Sequence, residues 1–302
     1  MSKRLLITGA NGLLGQSLVD FLMNKNQWEA CFTGRGTSRL NPKHTVNYKT
    51  LDITDYQSIE SIISNYKPTA IIHCAAMTNV DGCEQHPETC YENNTKSVEH
   101  FIRAIGKKNI QFVFISTDFV FDGKAQTPYL ESDPINPLSV YAKSKAKAEQ
   151  LLLESDLHYT ILRTSFVYGQ VFDGSSKNFY TWAKNSLKNE EHIKVFSDQI
   201  KAPTFADDLA MACLLAVDNQ SDGIFNITGP ESKSLFDFVM QLAEYYNFDQ
   251  SLVQAIETKT LNLKAPRPLY TALEGTKAKQ KFKYNPLSFK ESLKQMDLKS
   301  FD

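Results

Sequence analysis

The sequence has few of the features that mark metal-bound, disulfide-bonded or membrane-spanning proteins. Only five cysteines occur in 302 residues, and they form no CxxC pair or Cys/His cluster with zinc-site spacing. No apolar run approaches the length of a membrane span. The first apolar run ends at a glycine and lacks the cleavage site of a signal peptide. We therefore predict a cytoplasmic protein with reduced thiols and no membrane partner.

An excess of charge is also lacking, since 33 lysines and arginines balance 34 aspartates and glutamates to a net charge of -1. No global field therefore favours nucleic acid or an anionic membrane surface. Internal repeats and low-complexity segments are absent as well. These absences indicate a small-molecule partner and no nucleic acid, and they leave a homodimer open.

Short β-rich runs alternate with amphipathic, helix-length segments such as "QSLVDFLMNK" and "YQSIESIISNY" through the first half of the chain. The predicted strands are Leu5–Thr8, Ala30–Thr33, Ala70–Cys74, Phe112–Ile115 and Thr160–Arg163. This alternation predicts βαβ units, and hence an α/β, Rossmann-type doubly wound parallel sheet.

The rhythm becomes irregular after about Val167. We predict a dinucleotide-binding domain over residues 1–166, to which 204–228 returns. Residues 167–203 and 229–302 would form a smaller substrate-binding region. Ligands of open α/β sheets lie at the carboxyl ends of the strands, and such late insertions are placed to cover that edge.

A glycine-rich turn separates the first strand from the first helix, with Gly9, Gly12 and Gly15 in GxxGxxG spacing. Glycine permits a tight turn and lets a pyrophosphate approach the amides at the helix N-terminus. A plain loop is the alternative. The position of the turn favours dinucleotide binding, in which the intervening residues Asn11, Leu13 and Leu14 would share.

The second strand ends in "TGRGTSR", where this type of fold contacts the adenosine ribose. Arg35, with Arg39 as a further candidate, could pair with a 2′-phosphate, which favours NADP over NAD. A solvated basic loop is the alternative. "LDITD" offers Asp52 and Ile53 to the adenine. Ala75, Ala76 and Met77 follow a later strand, where small side chains let a cofactor lie close, although ordinary packing explains the alanines equally well.

Residues 116–123, "STDFVFDG", place two hydroxyls and a carboxylate at a strand end. Side chains alternate along a strand, so Ser116 and Thr117 cannot both face one ligand if the strand continues. Farther on, Tyr141 and Lys145 share a helix face behind a predicted N-cap, Ser139. A nearby ammonium would favour the tyrosine phenolate. Alone, such a pair is common on exposed helices.

Together these motifs resemble the extended short-chain dehydrogenase/reductase family, and within it the dTDP-4-dehydrorhamnose reductase branch. The motifs occur in the family's order along nearly the whole chain: "ITGANGLLG", "AAMTNVDGCE", "STDFVFDG", "VYAKSKAKAE", "LRTSFVYG", "KNF", "SDQIKAPT" and "RPLYTAL". The resemblance implies NADPH-dependent reduction of the C4 ketone of a nucleotide-linked 4-keto-6-deoxy sugar, with NAD as the alternative cofactor.

The resemblance also implies residue roles. Tyr141 would protonate the ketone oxygen, Thr117 would hydrogen-bond it, and Lys145 would tune the tyrosine and bind the nicotinamide ribose. Asn94 would support a relay water behind the lysine, or make only a packing contact. The implied sugar pocket comprises Val80, Asp118, Phe119, Phe166, Asn178, Lys201 and Arg267.

The chain departs from the branch at four positions. Phe119 and Phe166 replace a tyrosine and a tryptophan, which removes two side-chain groups that could hydrogen-bond the substrate. Lys201 stands where glycine is usual, and its ammonium could meet a nucleotide phosphate or face solvent. Some reductases bind metal through a glutamate after the glycine turn. That position is Ser17 here, so no metal is predicted.

Three other functions are compatible with the fold. Sugar-nucleotide dehydratases follow the catalytic hydroxyl with an Asp-Glu pair, whereas this chain has Asp118-Phe119. Epimerases hold NAD tightly, which fits poorly with Arg35. The regulatory subunit of methionine adenosyltransferase resembles the same branch and acts by binding a partner enzyme, so it stays an alternative.

Overall fold

The computed structural model describes residues 3–23, 28–44, 46–174 and 178–299. Its strands are β1 (Arg4–Thr8), β2 (Glu29–Gly34), β3 (Asn47–Thr50), β4 (Ala70–His73), β5 (Gln111–Thr117), β6 (Tyr159–Thr164), β7 (Ile193–Phe196), β8 (Ile200–Lys201), β9 (Gly223–Ile227), β10 (Lys233–Ser234) and β11 (Val253–Ile256). Positions 24 and 25 of "QSLVDFLMNK" and Lys177 of "KNF" lie outside the described residues.

The α-helices are α1 (Leu13–Met23), α2 (Tyr56–Tyr66), α3 (Val80–Gln85), α4 (Pro87–Tyr91), α5 (Ser97–Ile105), α6 (Val140–Leu153), α7 (Phe179–Lys188), α8 (Ala206–Asp218), α9 (Leu235–Tyr245), α10 (Thr276–Phe282) and α11 (Phe289–Leu298). A π-helical turn, Glu92–Lys96, joins α4 to α5. Among the described helices, none has both the length and the apolar character needed to cross a bilayer.

Seven of the described strands form one parallel sheet in the order β3-β2-β1-β4-β5-β6-β9. The predicted doubly wound α/β fold is therefore confirmed. All five predicted strands are present, with ends displaced by at most two residues. The polar β3, "NYKT", was not located from the sequence, because its pairing with β2 is its main structural signal.

Alternating side chains of β1 supply two cores, one on each face of the sheet. Leu5 and Ile7 belong to a cluster with residues of α1 and α8, whereas Leu6 belongs to a cluster with residues of α2 and α5. All three side chains are fully buried. Burial on both faces explains why this strand is continuously apolar in sequence.

The later part of the chain adds a smaller assembly beside the sheet. β7 pairs with β11 in parallel, and β8 pairs with β10 antiparallel. Tyr180, Phe238 and Phe289 belong to its separate apolar core, formed largely by α7, α9 and α11. By contrast, β9 pairs with β6, so residues 223–227 belong to the main sheet.

The turn between β1 and α1 leaves no space for a side chain at Gly15. A Cβ on Gly15 would lie 2.5 Å from Ala10 Cα and even closer to the Gly9 carbonyl oxygen, so backbone would have to move. We expect Gly15→Ala to lower the free energy of unfolding by about 1–3 kcal/mol, measured by urea denaturation. Gly12→Ala is the matched control, because its Cβ would lie 3.2 Å from the Gly9 oxygen. Equal losses in both variants would contradict the steric argument.

Candidate active site

A cavity of about 970 Å³ lies at the carboxyl ends of the sheet strands. It lies where the chain order reverses between β1 and β4, the usual ligand position in a doubly wound sheet. Twenty of the sequence-predicted site residues line it: Gly9, Asn11, Gly12, Leu13, Leu14, Gly15, Arg35, Ile53, Ala75, Ala76, Val80, Thr117, Asp118, Phe119, Tyr141, Lys145, Phe166, Asn178, Lys201 and Arg267.

Asp52 is a predicted cofactor contact that does not line the cavity. Its carboxylate accepts hydrogen bonds from the Thr54 backbone N–H at 2.9 Å and the Thr54 hydroxyl at 2.8 Å. These bonds hold the pKa of Asp52 below its usual value. Asp52 is exposed between the buried side chains of Leu51 and Ile53, which do line the cavity. The Asp52 carboxylate therefore stabilises the local turn with Thr54 and does not line the cavity.

Asn94 and Met77 lie behind the cavity wall and contact each other. Asn94 Oδ1 accepts from the Met77 N–H at 2.8 Å, and Asn94 Nδ2 donates to the Met77 carbonyl and to Ser144 Oγ, both at 3.0 Å. Ser144 Oγ donates in turn to the Tyr141 carbonyl at 2.7 Å. The asparagine therefore fastens α6 to the chain after β4. Its π-helical turn is a geometry common near functional sites.

The cofactor end is organised by Asn11, which fixes the loop after β2. Asn11 Oδ1 accepts from the Arg39 N–H at 2.9 Å, and Asn11 Nδ2 donates to the Thr37 carbonyl and the Tyr48 hydroxyl at 3.0 Å. Arg35 and Arg39 are exposed, yet both line the cavity. The basic loop therefore faces a concave site as well as solvent.

The helix α6 begins as predicted from the sequence. Ser139 Oγ accepts the Ala142 N–H at 3.2 Å, which confirms the N-cap. Tyr141 and Lys145, one turn apart, both line the cavity. The helix is held to β6 by a buried ion pair in which Arg163 Nη2 lies 2.7 Å from Glu149 Oε2. Helix position, and with it the position of both side chains, is thereby fixed.

Burial controls the protonation of the two α6 side chains. It lowers the pKa of Lys145 to about 7 and raises the pKa of Tyr141 well above its ordinary value. The nearby Thr117 hydroxyl opposes the rise in the Tyr141 pKa without cancelling it. The expectation that Lys145 would lower the tyrosine pKa is therefore wrong for the free protein, because desolvation dominates.

The strand β5 continues through Thr117, so Ser116 and Thr117 point in opposite directions. Thr117 lines the cavity close to Tyr141, accepts the Phe119 N–H at 3.2 Å, and donates to Asp118 Oδ1 at 3.1 Å. Ser116 Oγ is buried and has no hydrogen-bond partner within the described part of the chain. The geometry thus joins Thr117, rather than Ser116, to the tyrosine.

Lys201 does not face solvent, so the second of its two expected environments is wrong, whereas contact with a nucleotide phosphate stays a prediction. Its side chain is 1% exposed, and Nζ lies 3.8 Å from Asp118 Oδ2. Nζ also donates to Thr271 Oγ1 at 2.7 Å and lies 4.5 Å from the centre of the Phe119 ring. Burial lowers the pKa of Lys201, and the Asp118 charge opposes that shift.

The other residues predicted to bind the substrate are held in position by local contacts. Phe119 meets the Tyr141 ring edge to face, with centroids 6.3 Å apart, and Phe166 adopts a left-handed φ of 45°. Asn178 caps α7 by accepting the Tyr180 N–H at 3.2 Å. Arg267 Nη2 pairs with Asp81 Oδ2 at 2.7 Å. Val80 begins α3, next to that carboxylate.

Sequence reasoning missed Gln199 and Thr271. Gln199 lines the cavity and donates to Thr258 Oγ1 at 2.9 Å. Thr271 donates to Asp118 Oδ2 and is fully buried. Both lie inside the quoted motifs "SDQIKAPT" and "RPLYTAL", so a signal was present. Their partners are 59 and 153 residues away in the chain, which only the tertiary structure reveals.

Comparison with known proteins gives consistent results. The family model described as "RmlD substrate binding domain" matches residues 3–300. A dTDP-4-dehydrorhamnose reductase from Aggregatibacter actinomycetemcomitans is 33% identical, over 97% of this chain and 98% of that protein. The methionine adenosyltransferase 2 subunit beta of Bos taurus is 29% identical, over 88% of this chain and 79% of that protein.

A solved structure shows the same relationship. The dTDP-4-dehydrorhamnose reductase of Bacillus anthracis, determined in complex with NADP, superimposes with a TM-score of 0.84 at 28% identity, covering 99% of this chain and 100% of that one. The sequence similarity and the structural similarity to these reductases therefore both extend over nearly the whole chain. This chain belongs to the RmlD substrate-binding-domain family of extended short-chain dehydrogenases/reductases.

Proposed function

We propose that the protein is an NADPH-dependent reductase that acts on the C4 ketone of a nucleotide-linked 4-keto-6-deoxy sugar. The observation that carries the proposal is the meeting of Thr117, Tyr141 and Lys145 in one cavity with the glycine turn and Arg35. The reductase relatives, one of them solved with NADP, support it.

The cavity residues fit a dinucleotide. Gly9 has a φ of 71°, and a Cβ there would lie 2.7 Å from the Ala75 N–H nitrogen. The turn between β1 and α1 thus packs directly on the chain after β4 and leaves its outer side to the ligand. We assign the turn to the pyrophosphate, Ala75 and Ala76 to close contact with the cofactor, and Arg35 to the 2′-phosphate.

The raised pKa of Tyr141 means that the phenol carries its proton at neutral pH, so donation to a ketone oxygen requires groups that stabilise the phenolate. NADPH bound in the cavity supplies the hydride. Thr117, which lines the same cavity close to Tyr141, is placed to hold the same ketone oxygen. Lys145 lies in the wall beside them, where its ammonium would stabilise the phenolate left after proton transfer.

The remaining assignments belong to the same proposal. The sugar is bound by Val80, Asp118, Phe119, Phe166, Asn178, Lys201 and Arg267. Residues 1–166 and 204–228 form the dinucleotide-binding domain, and 167–203 with 229–302 form the substrate-binding region. Homodimerisation, a cytoplasmic location, the relay role of Asn94 and the lack of a metal at Ser17 stay predictions.

The decisive experiment is an assay of NADPH oxidation with dTDP-4-keto-6-deoxy sugar, generated in the same reaction by a dehydratase and an epimerase. We expect the reduced cofactor to be consumed with equimolar formation of the dTDP-6-deoxy sugar. Absence of turnover across dTDP-, UDP- and GDP-linked keto sugars would exclude the reductase function.

A regulatory subunit is the second candidate function, favoured by the likeness to methionine adenosyltransferase 2 subunit beta. A subunit that only binds a partner does not require a threonine, a tyrosine and a lysine together in one cavity, whereas Thr117, Tyr141 and Lys145 line one cavity here. Co-purification with a methionine adenosyltransferase catalytic chain, combined with a silent reductase assay, would favour this alternative.

Arg35 provides a test of cofactor choice. Because a guanidinium pairs with the 2′-phosphate that only NADPH carries, Arg35→Ser should raise the KM for NADPH about tenfold and leave the KM for NADH nearly unchanged. Arg103→Ser on α5 is the matched control, since Arg103 lies over the Tyr56 ring and not in the cavity. An equal effect on both cofactors would assign Arg35 to the loop structure.

A further inference from the structure

Lys201 is a buried cation at the sugar end of the cavity. Its side chain is 1% exposed and lines the cavity beside Phe119. Burying a charged lysine to this extent has a large cost in desolvation free energy unless the charge is paired. The partner is Asp118, whose carboxylate is itself 3% exposed.

The Asp118 carboxylate is already well supplied with donors. Its Oδ2 accepts from Ser165 Oγ at 2.8 Å and from Thr271 Oγ1, and its Oδ1 accepts from Thr117 Oγ1 at 3.1 Å. A carboxylate with three hydroxyl donors does not depend on Lys201 for hydrogen bonding. The ammonium therefore contributes charge balance to Asp118 more than a bond.

The Lys201 ammonium, in contrast, has hydrogen-bonding capacity left over. It has three N–H donors, of which one reaches Thr271 Oγ1 at 2.7 Å. The next acceptors are distant, namely the Pro268 carbonyl at 3.5 Å and Asp118 Oδ2 at 3.8 Å. Both distances exceed the usual length of an N–H···O bond. A donor is thus available for a ligand oxygen.

The charges around this donor are balanced in pairs. Lys201 is paired with Asp118, and Arg267, the neighbouring cation of the cavity wall, is paired with Asp81 through both terminal nitrogens at 3.1 and 2.7 Å. A site with paired charges and a spare donor suits a neutral hydroxyl oxygen. An additional carboxylate would lose its hydration there without gaining an unpaired cation.

We propose that Lys201 is a specificity-determining residue of the sugar subsite, donating one N–H to a hydroxyl oxygen of a neutral sugar while Asp118 holds its charge. The inference rests on the proposed function for the identity of the ligand. It also accounts for the aromatic wall, because Phe119 has no hydroxyl to offer and its ring lies against the ammonium that does donate.

The experiment measures binding rather than turnover, by titration calorimetry with dTDP and with dTDP-glucose as a stable neutral sugar. The ratio of the two dissociation constants isolates the sugar contact, since the nucleotide is common to both ligands. Lys201→Met should weaken dTDP-glucose about tenfold and leave dTDP within about twofold. Lys194→Met, an exposed position on β7, is the matched control and should change neither.

A second pair of variants covers the case in which Lys201→Met fails to fold because Asp118 is left buried and unpaired. Asp118→Asn keeps the lysine donor, whereas Asp118→Asn with Lys201→Met removes the donor and leaves no unpaired charge. The double variant should bind dTDP-glucose about tenfold more weakly than Asp118→Asn, with equal dTDP affinity.

Three results would overturn the inference: an unchanged dTDP-glucose to dTDP ratio in both comparisons, an equal loss for both ligands, or no gain in affinity from the glucose in the wild-type protein. A silent NADPH oxidation assay contradicts the proposed function instead. A contact that only supports the fold would shift the melting temperature without changing the ratio.

Discussion

Tyr141→Phe is expected to lower kcat for the keto sugar by about 10²–10⁴-fold, because it removes the acid and leaves the ring in place. The phenol lies in the cavity wall close to Thr117, and its raised pKa keeps it protonated at neutral pH. Since the phenylalanine ring preserves the edge contact with Phe119, the variant should fold and bind NADPH like the wild type.

Stopped assays under saturating substrate measure this loss, and NADPH fluorescence titration measures cofactor affinity. Tyr91→Phe is the matched control, since Tyr91 is exposed on α4 and outside the cavity. Retention of more than about a tenth of wild-type kcat by Tyr141→Phe would assign proton transfer to another group or to water.

Lys145→Met is expected to have two opposite effects, a loss of activity and a gain of stability. The activity loss should again be about 10²–10⁴-fold in kcat, because the ammonium no longer stabilises the developing phenolate. The stability gain follows from burial, which lowers the pKa of this lysine from 10.5 to about 7. The folded state therefore binds fewer protons than the unfolded state between these values.

The pH dependence of that gain has a definite sign. At and below pH 7 the wild-type protein carries the full cost of burying the amine, on the order of a few kcal/mol. The cost decreases as pH rises through about 7 and has disappeared near 10.5, where the amine is neutral in both states. The variant should thus be more stable than wild type at pH 6 and equal to it near pH 10.5.

Urea denaturation of the ligand-free proteins at pH 6, 8 and 10 measures this difference, and titrating groups remote from Lys145 cancel in the comparison. Lys143→Met, exposed on the same helix, is the matched control and should show no such pH dependence. A Lys145→Met protein that is less stable at pH 6 would mean that its contact with the Phe114 ring, 3.9 Å from Nζ, outweighs desolvation.

Short-range features could be predicted from the sequence because they depend on neighbouring residues. The N-cap at Ser139, the shared face of Tyr141 and Lys145, and the glycine turn follow from spacings of three or four residues. The strand β3 could not be located, because its four residues are mostly exposed and β2 provides its pairing.

The electrostatics of the site depended on long-range packing. The spacing of Tyr141 and Lys145 suggested a lowered tyrosine pKa, but burial by distant segments raised it. Asp52 was assigned to the adenine from the motif "LDITD", whereas its carboxylate accepts hydrogen bonds from Thr54. Desolvation and competition for donors depend on which groups surround a side chain, and spacing does not report that.

The sequence by itself determined the fold class, the family and twenty of the residues that meet in the cavity, since alternating apolar runs and local motifs encode them. Only the tertiary structure decided which side chains Lys201 contacts. Its partners Asp118 and Thr271 lie far from it in the chain, and they converge because the smaller assembly packs over the carboxyl edge of the sheet. Local patterns encode which surfaces become buried, whereas the pairing of buried charges is decided when those surfaces meet.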